Sequence, residues 1–260
     1  MRPATLTGSF AYEYGMQIRR ASLWIAMAII GVLLVSSDVW REYQSQAGGH
    51  SAVSLTVARW VFELTTFVPP LLAVLLADRL VRDRTLQTEE LMQATSASPG
   101  ARLWGKYLGV AAAAITPVAL IWAIGVAEIA LHFRSWSALS LGIGAFVALV
   151  VPSVTFATAV ALALPSVIGV TFFRIAFVIY WVAGNLLIVD GLPNLSRTWL
   201  TPIGKFARDG FFGRAYEGTP WDTGATAGAA AGSVAVIVGF SLAIVLVLQI
   251  ARRVGGRRLA

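Results

Sequence analysis

The chain has 260 residues, of which 57% are hydrophobic and only 13% charged, against roughly 25% charged in soluble domains, and its mean hydropathy is +0.75. Those figures exclude an ordinary soluble domain and point to an integral membrane protein. With no Cys there is no disulfide framework, thiolate metal site or cysteine nucleophile. The formal charge of +7 sits in Arg clusters beside apolar stretches, which mark the cytosolic face of a membrane rather than a nucleic-acid site.

Residues 4–20 repeat Leu6, Phe10, Tyr14 and Ile18 at every fourth position, with Ser9, Glu13, Gln17 and Arg20 elsewhere. This reads as an amphipathic helix lying in the headgroup plane, Arg19 and Arg20 facing lipid phosphates. A first span over 21–37 follows; a cleaved signal peptide fits less well, since the polar lead is long and no A-x-A site follows Ser37. After a polar connection over 38–53, a second span over about 57–77 carries Pro69-Pro70, which should kink it and free carbonyls for neighbours to satisfy. A charge-dense run from Asp78 to Gly109 leads into a third span over about 107–131. A tight turn holding His132, Arg134 and Trp136 precedes a fourth span over 138–163, after which Pro165-Ser166 allows an abrupt return. The fifth span covers about 168–189. A polar-aromatic connection over 190–222 then suits short half-inserted helices at the outer leaflet, and a sixth span over 224–250 precedes the basic tail. Each span reaches or approaches the roughly 20 residues that cross a bilayer. The expected fold is an all-α integral membrane protein with six transmembrane helices in a single domain.

With the N-terminus inside, thirteen Lys and Arg fall on inner segments and seven on outer ones. The positive-inside rule therefore puts both termini and the Asp78–Gly109 run in the cytosol.

Charge within a span marks function or a partner. Arg59 and Glu63, four apart on the second span, are spaced to pair on one face or to line a substrate path. Arg174 reads as snorkelling to the cytosolic interface, with pairing or gating as the sharper option. Asn185 is placed to hydrogen-bond across a helix interface, and Gly224, Gly228 and Gly232 form a GxxxGxxxG row that would let another backbone approach closely.

Catalytic signatures fail their context. Gly100-x4-Gly105-Lys106 has the outline of a phosphate-binding loop, but Tyr107 stands where Ser or Thr is required. Asp209-Gly210 lacks the downstream acids of a metal-dependent phosphotransferase, Asp222 being the last acidic residue. His50 and His132 have no carboxylate cluster to make a zinc site, and there is no G-x-S-x-G elbow.

Within the central run, Thr85 to Ala94 reads as a short helix with Glu89 and Glu90 near its start, where the dipole favours them, ended by Ser-Ala-Ser-Pro-Gly. The sequence RTLQTEELMQATSASPGARLWGKYLG resembles the segment between the second and third helices of ABC-2 type transporter permeases. Thr85-Leu86, Leu91-Met92, Thr95, Ser98 and Gly105-Lys106 match in order, while Ser96 and Pro99 stand where the family usually has Pro and Arg.

The resemblance implies the permease half of an exporter in a bacterial inner membrane, not itself an enzyme. Residues 83–98 would be a coupling helix, with Arg84, Thr85, Glu89, Glu90, Leu91, Thr95 and Ser98 docking into a cytosolic ATPase. It further implies two copies of that ATPase carrying ATP and Mg, none of these cofactors on this chain, and a second permease protomer, identical or related, embedded with it among membrane lipids. The alternative is a membrane anchor or assembly subunit without its own transport path. An ion-coupled carrier would need buried acids at mid-membrane, and none is convincingly placed.

Overall fold

The computed structural model describes residues 3–37, 50–79, 98–187 and 194–257. Among these the chain is helical: α1 (Pro3–Ile18), α2 (Ala21–Ser36), α3 (His50–Leu76), α4 (Pro99–His132), α5 (Ser137–Ile168), α6 (Val170–Leu186), a 3-10 turn (Leu195–Arg197), α7 (Lys205–Phe212) and α8 (Ala227–Arg257). Two π-helical stretches occur, Phe146–Val150 within α5 and Val182–Leu186 at the end of α6. Helices α3, α4, α5 and α8 are each long and apolar enough to cross a membrane, and α1 with α2 forms a fifth such element bent by 61°. The protein is thus a multi-pass membrane protein. Helix α2, with 16 residues, is about 24 Å long, and α6 is similar; both fall short of the roughly 30 Å hydrocarbon thickness. The six crossings expected from the sequence therefore reduce to four or five elements of crossing length.

Several boundaries move for local chemical reasons. The Ser-Pro-Gly run expected to end a helix begins one: Ser98 caps α4, its hydroxyl accepting from the Ala101 N–H at 3.3 Å, and Pro99 fills the first position, where no amide donor is needed. The third span accordingly starts at 99 rather than 107. The fourth does not turn at Pro165, which opens its last turn; the return is at Gly169, whose φ of +82° a side chain would oppose. The sixth begins at Ala227, so Gly224, with φ of +60°, lies in the turn before it and not on a helical row.

Helix α3 is the centre of the bundle. Val57, Val61, Leu64, Val68 and Leu72 are fully enclosed, and Trp60 is 1% exposed. Two of its neighbours, α4 and α6, run antiparallel to it: Trp60, early on α3, meets Trp122 and Gly125 late on α4, while Trp181 late on α6 reaches Thr66 and Arg174 early on α6 reaches Val74. A side chain at Gly125 would overlap the Trp60 ring, at 2.0 Å, so glycine there is what lets α3 and α4 close. In lipid, close backbone approach and interhelical hydrogen bonds replace the hydrophobic drive to pack.

Indole donors stitch these helices together. Trp60 Nε1 donates to the Trp122 carbonyl (3.3 Å), Trp122 Nε1 to Gly142 (3.1 Å), Trp104 Nε1 to Gln249 Oε1 (2.8 Å) and Trp181 Nε1 to Thr66 (2.8 Å). The last has a clear origin. Pro70 has no N–H to return to the carbonyl four residues back, which is that of Thr66, and Trp181 supplies the missing donor. The expected satisfaction of a proline-freed carbonyl by a neighbour is realised, and α3 continues unbroken through Pro69 and Pro70.

Helix α1 departs from expectation. It does not lie alone in the headgroup plane but packs lengthwise and parallel against the first half of α4. A Cβ at Gly105 would meet Ser9 Cβ at 2.6 Å and the Leu6 carbonyl at 2.8 Å, and one at Gly109 would meet the Phe10 carbonyl at 2.6 Å, while Tyr14 reaches Thr116 at 3.2 Å. The Ala101-x3-Gly105-x3-Gly109 row leaves no side chains between the two backbones.

Trp181→Phe is expected to lower stability in detergent by about 1 kcal/mol by orphaning the Thr66 carbonyl. The same change on a Pro70→Ala background, where the α3 amide is restored, should cost less. Equal costs in the two backgrounds, measured by denaturant titration, would show that the indole acts only through packing.

Candidate functional site

The expected coupling residues Arg84, Thr85, Glu89, Glu90, Leu91 and Thr95 lie outside the described residues. Ser98 is described and serves as the α4 cap. What the structure does define is the anchorage of this segment. Glu13 of α1 accepts from Arg79 Nη2 on Oε2 at 2.6 Å and from Lys106 Nζ on Oε1 at 2.8 Å. Arg79 immediately follows α3 and Lys106 lies in the second turn of α4, so one carboxylate fastens both ends of the 80–97 segment to α1. All three side chains are nearly buried, Glu13 at 9% exposure. Arg20, before α2, extends the cluster by donating to Gln17 Oε1 at 3.3 Å and standing 4.0 Å from Asp78. Glu13, Arg79 and Lys106 thereby tie α1, α3 and α4 together.

Gly105 and Lys106 of the phosphate-loop lookalike are consumed by this packing. Gly105 touches the α1 backbone and Lys106 is paired with Glu13, inside a helix that leaves no concavity for a phosphate.

A second polar cluster closes the opposite end of α3. Arg59 and Glu63 do face together, but their common partner is Tyr216. Arg59 Nη2 donates to the Ala215 carbonyl at 2.6 Å and its guanidinium lies 4.3 Å from the Tyr216 ring centre, while Glu63 hydrogen-bonds Tyr216. Arg208 of α7, wholly buried, lies 4.3 Å from both the Tyr216 and Phe62 rings. It donates through Nε to Asp209 Oδ1 at 2.6 Å and through Nη2 to the Trp221 carbonyl at 2.7 Å. Asp209 Oδ2 in turn accepts from the Thr223 amide (2.9 Å) and hydroxyl (2.8 Å). Lys205 donates to Ser196 Oγ and sits 4.1 Å from the Trp221 ring centre. Rings and carbonyls thus satisfy cations that would otherwise be stranded.

Helix α7 was expected to sit half-inserted in a leaflet; instead its charged residues point inward and pack on α3 and α8. Burial, with the Arg208 charge adding to it, lowers the Lys205 ammonium from 10.5 to about 7. Nearby, the hydrogen bond from Arg214 holds the Asp222 carboxyl at about 2.

The remaining sequence candidates take structural places. Arg174 Nε donates to the Val74 carbonyl at 3.1 Å, capping one of the four carbonyls left open at the end of α3 rather than reaching out to the interface. Asn185 is fully buried in the π stretch of α6 and accepts from Thr201 Oγ1 at 3.0 Å, so it ties its helix to the following connection and not to another spanning helix. Gly232 meets the Trp199 ring at 3.0 Å rather than a backbone, and Gly228 has only Thr226 Oγ1 near it, at 3.9 Å. The close-packed glycine row is instead Gly105 and Gly109. The four-residue spacing after Ala101 was a readable signal for that row. Glu13 could have been noticed as the lone acid before Asp38 in a strongly basic region. Among the described residues no three His, Cys, Asp or Glu side chains gather as a metal site.

Compared with known proteins, the chain matches no family model, no curated protein and no solved structure.

Two outcomes follow from these clusters. Glu13→Gln should lower stability by about 3 kcal/mol, because it strands two nearly buried cations, and the triple change Glu13→Gln, Arg79→Met, Lys106→Met should recover most of that loss. Failure of the triple variant to recover in a detergent unfolding assay would mean that the cluster holds the fold by shape alone. For Lys205, the folded state binds the proton less tightly than the unfolded chain. The burial penalty is fully present below about pH 7 and is relieved as pH rises from about 7 toward ~10.4. Stability should therefore rise across that window, and Lys205→Met should flatten the slope.

Proposed function

We propose that this chain is the transmembrane subunit of an ATP-driven exporter of the ABC-2 type, working as a dimer with itself or a related permease in a bacterial inner membrane. Two copies of a separate cytosolic ATPase supply ATP binding and Mg. The observation that carries the reading is the Glu13 fastening. Residues 83–98, whose sequence resembles a coupling helix, lie in the chain between Arg79 and Lys106, and both of those side chains are held by one acid on α1. On this reading a partner that displaces the segment acts on α1, α3 and α4, which the Glu13 cluster holds together.

Six crossings follow on this reading if α2 and α6 each span a locally thinned bilayer, the usual accommodation of a short helix. Both carry outward apolar rows, Ile25, Ile29 and Val32 on α2 and Phe172, Ile175 and Ile179 on α6, for lipid or for a second protomer. Both termini and the 80–97 segment are then cytosolic, in keeping with the excess of Lys and Arg on that side.

The test is to purify the chain with its ATPase and measure substrate-coupled ATP hydrolysis and transport in proteoliposomes. Charge reversal at Glu89 and Glu90 should abolish transport and reduce ATPase binding. Unchanged activity in the reversed variant would refute the coupling role. Retained ATPase binding with no transport by the unaltered chain would favour a membrane anchor.

A further inference from the structure

A cavity of about 460 Å³ lies between α5, α6 and α8. Phe156, Phe173, Phe177 and Phe240 form its walls, and Leu195 and Leu200 close one end. The α5 residues along it run from Phe156 to Ile168, about 18 Å of helix axis. The slot thus runs along the spanning helices. It also opens sideways: Leu164, Leu200 and Phe240 on its rim are each exposed by more than two-fifths. Its walls are apolar over that whole length, as an acyl chain requires.

The end closed by Leu195 and Leu200 is the polar end. Leu195 belongs to the same 3-10 turn as Arg197, which is exposed, while the middle residue of that turn, Ser196, points inward to Lys205. Trp199, half exposed and braced on Gly232, stands beside it, as Trp does at headgroup level. Apolar walls of acyl-chain length thus end at a cation that no described acid pairs by an ion-pair contact.

We infer that this slot binds one acyl chain of an anionic bilayer phospholipid, drawn from the leaflet on the Arg197 side, with the lipid phosphate on Arg197. The occupant is a lipid rather than a second copy of the chain because the walls are apolar along their length and the described charge nearest in sequence to the Leu195 end, Arg197, is cationic. Binding would brace α6 against α5 and α8. Helix α6 needs that support, being short and bounded by the Gly169 turn and its own π stretch. The inference does not depend on the transport reading.

The test uses the full chain in phosphatidylcholine nanodiscs containing phosphatidylglycerol with a photoactivatable group at mid-chain. Cross-links should concentrate on peptides holding Phe177 and Phe240, and Ala176→Trp, which fills the slot, should reduce them about tenfold. Arg197→Gln, at an exposed position with little bearing on folding, should lower the preference for phosphatidylglycerol over a matched phosphatidylcholine probe about fivefold. Cross-links spread evenly over the exposed α8 face at Leu242 and Leu246 would overturn the proposal. So would an unchanged lipid preference in Arg197→Gln, or disulfide linkage of two chains through Ala176→Cys.

Discussion

The structure rests on one constraint: a polar group taken into a bilayer must find its partner within the protein. Helix α3 shows how far this reaches. It carries two prolines, a cation and an acid, and its last carbonyls are open. Helix α6 answers two of these needs, Thr66 through Trp181 and Val74 through Arg174, and the 215–216 turn answers Arg59 and Glu63. The central helix is thereby fixed along its length by α6 and at one end by the connection before α8. Association of helices in lipid gains little from apolar burial, so these specific contacts and the glycine approaches decide which helices are neighbours.

The two charge clusters divide the molecule into ends with different mechanics. At one end a single carboxylate joins α1 to the end of α3 and the start of α4. At the other, two acids and three cations are locked by rings, carbonyls and hydroxyls into a plug under the 195–223 connection. Buried ion pairs of this kind add little net stability, but breaking them is costly, so they specify one arrangement more than they strengthen it. Between the ends, on the flank formed by α5, α6 and α8, the packing is loose enough to leave a slot of lipid-chain dimensions.

Much of this was legible in the chain. The apolar stretches, the turn at 133–136, the proline-freed carbonyl and the special status of Arg59 and Glu63 follow from residue type and spacing. The reading failed where a local signal has two uses. Ser-Pro-Gly ends a helix or caps the next one, and Ser98 took the second role because an apolar helix of 34 residues lay ahead of it to be capped. A GxxxG row invites close approach, yet the row at the start of α8 met an indole, while the one within α4 met a backbone.

Residue chemistry by itself determined that the protein lives in a membrane, that it is helical, and roughly where its helices lie, because the free energy of apolar residues in lipid and the need for internal backbone hydrogen bonds act segment by segment. Only the tertiary structure decided that α1 lies along α4, that Glu13 joins Arg79 to Lys106, and that the charges of α7 turn inward. Those outcomes depend on pairings between residues that can be more than 150 positions apart in the chain, such as Arg59 with Tyr216. Periodicity carries no information about such pairs, because a helix face records that it is covered and not by what.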